Sequence, residues 1–184
     1  MELAQAVALA GFVLLAAFVA LFMRRAGGAL YQTRVAEGFR SATKDLSQRV
    51  NLSLGELAAL IDQVRRREGD MGVIRPSLAA GQDAALRYAA EARALSGPPS
   101  TTGFKARMVE ELERAERALA LVDHGCQLAI DGNRLERGPE ADTSIKRGYL
   151  NLLHAREAFT EQAQAAMQEA EVASPARKFG RLRP

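Results

Sequence analysis

Between residues 3 and 23 the chain reads LAQAVALAGFVLLAAFVALFM, without a charge and with one polar side chain, Gln5. Arg24 and Arg25 close the run. At about 1.5 Å rise per residue, a helix of this length measures about 30 Å, the thickness of a bilayer's hydrocarbon layer. It is apolar all round, whereas a helix on the surface of a soluble domain keeps a polar face. Met1-Glu2 carries no Lys or Arg, and the run outlasts the short apolar core of a secretory signal. The expectation is a single transmembrane helix.

Basic residues set its orientation. None precedes the run, while Arg24, Arg25, Arg34 and Arg40 follow it. The positive flank stays on the cytoplasmic side, which predicts a single-pass protein of the cell membrane with its N-terminus outside and its body in the cytoplasm. Ala6, Ala10, Ala16 and Ala20 include small residues at four-residue spacing, a pattern that permits helix pairing and hence a homo-oligomer.

The remaining body of about 160 residues is long enough for one domain with its own core. It is rich in Ala, Leu, Glu and Arg and lacks Trp, the composition of helical bundles. The single cysteine, Cys126, excludes an intramolecular disulfide. Net charge is +3 but unevenly spread: residues 24–67 hold nine basic and four acidic side chains, and residues 176–184 hold four basic and none acidic.

The chain then divides by punctuation. Residues 1–25 form the anchor with its basic flank, and 26–33 read as a juxtamembrane linker hinged at Gly27-Gly28. Residues 34–173 read as an antiparallel bundle of about four helices with coiled-coil-like seams, and 174–184 as a basic tail. The first body helix bears the stripe Val50, Leu54, Leu57, Ile61, Val64. GDMGVIRP breaks the chain, and Ser77 caps a thin, Ala-lined helix over 78–95 with Leu86 on its apolar face. SGPPSTTG is a loop. A helix from Phe104 follows, with Met108, Leu112, Ala115, Leu119, Val122 and Cys126 on one face and Glu110–Arg114 and Glu113–Arg117 pairs outside. The last helix, capped by Asp142 or Thr143, carries Ile145, Tyr149, Leu152, Arg156, Phe159, Ala163, Ala166 and Ala170. Short connections make neighbours antiparallel, so the tail returns to the membrane-proximal end.

Candidate chemistry is sparse. His124 and Cys126, two apart on a helix, face different ways. His154-x-x-Glu157 lacks the partners that a di-iron bundle needs. Phosphate-loop, zinc-protease, nucleophile-elbow and paired-cysteine motifs are absent, so the reading is a non-enzyme without cofactor or metal. Arg156 is the one charge on a seam, so it either snorkels to solvent or meets a carboxylate, with Asp62 or Asp123 as candidates. Arg156, His154 and Tyr149 together are the candidate ligand-binding set. Arg24, Arg25, Arg177, Lys178, Arg181 and Arg183 form the membrane-proximal basic group, suited to anionic lipid headgroups. Nucleic acid is disfavoured as a partner, because basic and aromatic residues do not interleave along the body.

The reading that follows is a membrane-anchored scaffold, adaptor or assembly subunit that binds another protein at the cytoplasmic face. The alternative is a membrane-tethered sensory bundle that binds a small ligand between its helices. The layout, an apolar segment followed by long bundled helices, resembles that of LemA-type membrane proteins; the resemblance is one of arrangement, and no residue role is taken from it.

Overall fold

The computed structural model describes the backbone of residues 2–66, 68–131 and 134–173, and the side chains of Leu15, Phe18 and residues 31–66, 68–130 and 138–173. Among these residues there are four α-helices and one 3-10 turn, and no strand. α1 spans Glu2–Arg65, α2 Met71–Ala94, α3 Thr102–Asp131 and α4 Arg134–Ala173; the 3-10 turn is Pro99–Thr101.

The apolar run and the first body helix are one element. α1 holds 64 residues and crosses 26–33 without a break, which corrects the expected hinge at Gly27-Gly28. Two glycines weaken a helix by roughly 1 kcal/mol each but leave its hydrogen bonds intact. Good helix formers on both sides carry the helix through. At about 1.5 Å per residue α1 is about 95 Å long. Among its described side chains the buried ones begin at Ala36, where the helix joins the bundle.

From Ala36 onward four faces close on one core. α1 packs on α2, α2 on α3, α3 on α4, and α4 back on α1, each pair antiparallel. Cross-helix contacts fix the register of α4 on α1: Arg40 meets Glu171, Asn51 meets Thr160, and Arg65 meets Tyr149. The expected seams fill the centre, with Val50, Leu54, Ile61, Met108, Leu112, Leu119, Val122, Leu152 and Phe159 all buried. Leu86 is the exception, lying exposed on α2.

Glycines let the helices approach. A Cβ on Gly148 of α4 would stand 2.7 Å from the Ala118 carbonyl oxygen of α3, and one on Gly125 of α3 would stand 3.0 Å from that of Ala141 of α4. On α2, a Cβ at Gly81 would collide with the Leu57 side chain of α1. These contacts make α3 and α4 the closest pair, whereas α1 and α2 share the thinnest interface.

Two helix starts differ from the sequence expectation, for one reason. α2 begins at Met71 rather than 78, because Asp70 and not Ser77 is the cap: Asp70 Oδ1 accepts the Gly72 amide at 2.7 Å. Buried Ile74 holds this early turn on the core. Pro76 then sits inside the helix, where its missing N–H removes only the bond to Gly72, whose exposed carbonyl can be solvated. Likewise α4 begins at Arg134 and contains Pro139. Thr143 is no cap; its hydroxyl donates back to the Pro139 carbonyl at 2.7 Å, filling the acceptor one turn earlier.

Surface pairing also departs from the simple helical spacing. Arg114 lies 3.6 Å from Glu111, within ion-pair range but too long for a hydrogen bond. Glu113 accepts from Arg93 of α2 rather than from Arg117. The connection between α2 and α3 folds back over the core: Gly97 lies under Phe39, where a Cβ would come within 2.5 Å of the ring, and buried Thr101 donates to the Pro98 carbonyl at 2.7 Å.

Candidate functional site

The three residues proposed for a ligand pocket do not converge. Tyr149 and Arg156 lie seven residues apart on α4, so both face α1, about 10 Å apart along the axis. Tyr149 packs on the core with the Arg65 guanidinium 5.5 Å from its ring centre, a cation–π arrangement. His154 is off that face and exposed to solvent.

Of the two outcomes expected for Arg156, the pair with Asp62 or Asp123 does not form. Asp62 is taken by Arg65 at 2.7 Å and Arg66 at 2.8 Å, and Asp123 by Arg75 at 3.0 Å. Hydrogen bonding from Arg65, with the charge of Arg66 beside it, holds the Asp62 carboxyl below its ordinary range. The Arg156 guanidinium instead runs outward across Gly55 of α1, with Nη1 2.9 Å from where a Cβ would stand. Half-buried, it reaches solvent along the gap that the glycine opens, which is why no buried partner is required.

Arg24 and Arg25 belong to the α1 backbone, but their side chains lie outside the described residues, as do Arg177, Lys178, Arg181 and Arg183 entirely. The side chains of the apolar run also lie outside them, apart from Leu15 and Phe18, which are 62 % and 69 % exposed. The chain itself therefore buries neither. Among the described residues no helix is long and apolar enough to cross a membrane.

Three further features lie among the described residues, and the first was not foreseen from the sequence. Arg49 bridges α1 and α2 by a two-pronged pair with Glu91, Nη1 donating to Oε2 at 3.0 Å and Nη2 to Oε1. Its Nε donates to Asp45 at 3.0 Å, and its guanidinium lies 5.7 Å from the Tyr88 ring centre. Glu91 raises the already high pKa of Arg49, so the bridge is permanently charged. The signal was Arg49 itself, next to a seam residue, but its partner lies 42 positions away on another helix.

The second feature is a groove of about 420 Å³ at the end of the bundle from which α1 projects. Its walls are Val35, Gly38 and Ala42 on α1 and Ala94 and Leu95 at the end of α2, over the Phe39 ring. Small side chains at 38, 42 and 94 open it, in keeping with the thin, Ala-lined face expected of the helix over 78–95, which is α2.

The third is Cys126. Its side chain is buried, and desolvation, with Asp123 nearby, pushes the thiol up to about 11. It is an apolar core residue, as its seam position implies. His124, two residues away, is exposed. Among the described residues no cluster of three His, Cys, Asp or Glu side chains could hold a metal ion.

Comparison with known proteins adds no relative: the chain matches no protein-family model, no curated protein and no solved structure.

Proposed function

We propose that this protein is a membrane-anchored scaffold or assembly subunit, which holds a protein partner at the cytoplasmic face of the cell membrane. The observation that carries the reading is the continuity of α1. One helix joins the uncharged run 3–23 to a four-helix bundle, and the bundle starts about 20 Å beyond Met23, 13 residues on. Such a helix fixes the bundle at a set height above a bilayer. The bundle adds surface rather than chemistry: its charged side chains pair across helices, and the candidate ligand residues lie apart. The open seam between α1 and α2 and the small residues in the apolar run leave room for partner proteins or further copies of the chain.

The experiment is affinity capture of the full-length protein in mild detergent, compared with a chain lacking residues 3–23. A stoichiometric protein partner that co-purifies with the full chain supports the scaffold. A partnerless preparation whose melting temperature rises with a small molecule would favour the ligand-binding alternative.

A further inference from the structure

The groove between α1 and α2 has a candidate occupant within the same chain. We propose that residues 174–184 fold back into it, with Phe179 inserted over Phe39 and the flanking cations facing Asp45 and Glu91.

Position is the first argument. Arg40 pairs with Glu171 at 3.4 Å, so the last turn of α4 lies beside the α1 turn that bears Gly38. The C-terminal segment therefore starts at the end of the bundle where the groove opens. Phe179 is six residues past Ala173. Six extended residues reach about 20 Å. Neighbouring helix axes lie roughly 8–10 Å apart, so this spans the end of the bundle.

Chemistry is the second. The groove is lined by Val35 and Leu95, with buried Phe39 beneath, and has space where Gly38, Ala42 and Ala94 lack bulk. A Cβ on Gly38 would meet no described residue within 4 Å. An aromatic side chain is the occupant that gains most there, through the apolar area it buries. The segment ARKFGRLRP supplies Phe179 and, three residues on, Leu182.

Charge is the third. At the groove's edge, Arg49 is shared by two carboxylates, Asp45 and Glu91, which leaves one negative charge over. The segment carries Arg177, Lys178, Arg181 and Arg183 and no acidic residue. Its cations are thus drawn toward that edge while Phe179 fills the trough.

Disulfide trapping in the full-length protein tests this. Gly180→Cys is paired with Gly38→Cys in the groove or with Gly103→Cys at the start of α3. Both receiving glycines have open space for a side chain, and both lie at the same end of the bundle. A free tail would strike them about equally. Docking predicts intramolecular disulfide formation at Gly38→Cys on the order of tenfold faster, since a docked group has the higher local concentration. It also predicts that Phe179→Ala brings this rate down to that of the Gly103→Cys control. The rates are measured in neutral detergent and again in vesicles rich in phosphatidylserine. Equal rates at the two positions in detergent would overturn the proposal. A preference for Gly38→Cys in detergent that vanishes in the anionic vesicles would overturn it too, and would assign the segment to lipid headgroups.

Discussion

Gly148 of α4 lies so close to Ala118 of α3 that a Cβ would stand 2.7 Å from the Ala118 carbonyl oxygen and 2.5 Å from a methyl of Val122. The obstacle is partly helix backbone, which cannot swing aside. Gly148→Ala therefore has to push α3 and α4 apart, and overpacking of this kind costs about 1–3 kcal/mol. That exceeds the roughly 1 kcal/mol that alanine gains over glycine within a helix. A lower melting temperature of the full-length protein is expected, and the same for Gly125→Ala.

Gly55 should behave in the opposite way. Its only close neighbour among the described residues is the tip of the long Arg156 side chain, which is partly exposed. Gly55→Ala should stabilise the protein by about 0.5–1 kcal/mol, the ordinary gain in helix propensity. Arg156→Ala should change stability by no more than about 0.5 kcal/mol, because no ion pair with a described residue is lost. Thermal melts of the two variants check both; a large loss on Arg156→Ala would reveal an internal partner.

Thr43 is fully buried in α1, and its hydroxyl has no hydrogen-bond partner among the described residues. Valine has nearly the same shape without the unsatisfied group. Thr43→Val should raise stability by about 1 kcal/mol, the lower range of the cost of an unpaired buried hydroxyl. Chemical denaturation should show a higher midpoint at an unchanged slope.

Cys126 makes stability pH-dependent on the alkaline side. Its thiol is raised from 9.0 in the unfolded chain to about 11 by burial. The folded form then holds a proton that the unfolded form releases, so this contribution is complete below pH 9 and disappears as pH rises through about 11. Asp62 acts at the other end. Its lowered carboxyl pKa adds stability that is present above the ordinary carboxylate range and lost as pH falls through the folded value. Denaturation between pH 8 and 11 should show a decline that Cys126→Ala reduces. In the folded protein at pH 8, the thiol should resist labelling until the bundle is unfolded.

The helical class and the core stripes were legible in the sequence because both follow from local spacing. Val50 to Val64 and Met108 to Cys126 could be read as seams and are buried. Helix starts were less legible. Pro76 and Pro139 look like breaks, yet each is the sixth residue of its helix and costs one hydrogen bond, while Asp70 supplies the cap of α2. The glycines at 125 and 148 look like weak points and are contact points, which only the opposing helix reveals. Ion pairing was least legible. Arg49, Arg75 and Arg93 each found a carboxylate on a neighbouring helix, 20 to 48 positions away, and spacing along one helix cannot rank such partners.

The central claim, that α1 carries the bundle on a membrane-spanning segment, is tested most directly by the two sides' access to a membrane-impermeant thiol reagent. Buried Cys126 keeps the background low. The full-length chain is produced with Glu2→Cys or with Ser100→Cys, the latter an exposed position in the connection between α2 and α3. In cells with an intact plasma membrane, labelling of Glu2→Cys alone, with Ser100→Cys reacting only after permeabilisation, is the predicted result. Protection of both positions in intact cells, together with release of the protein from membranes at alkaline pH, would contradict it.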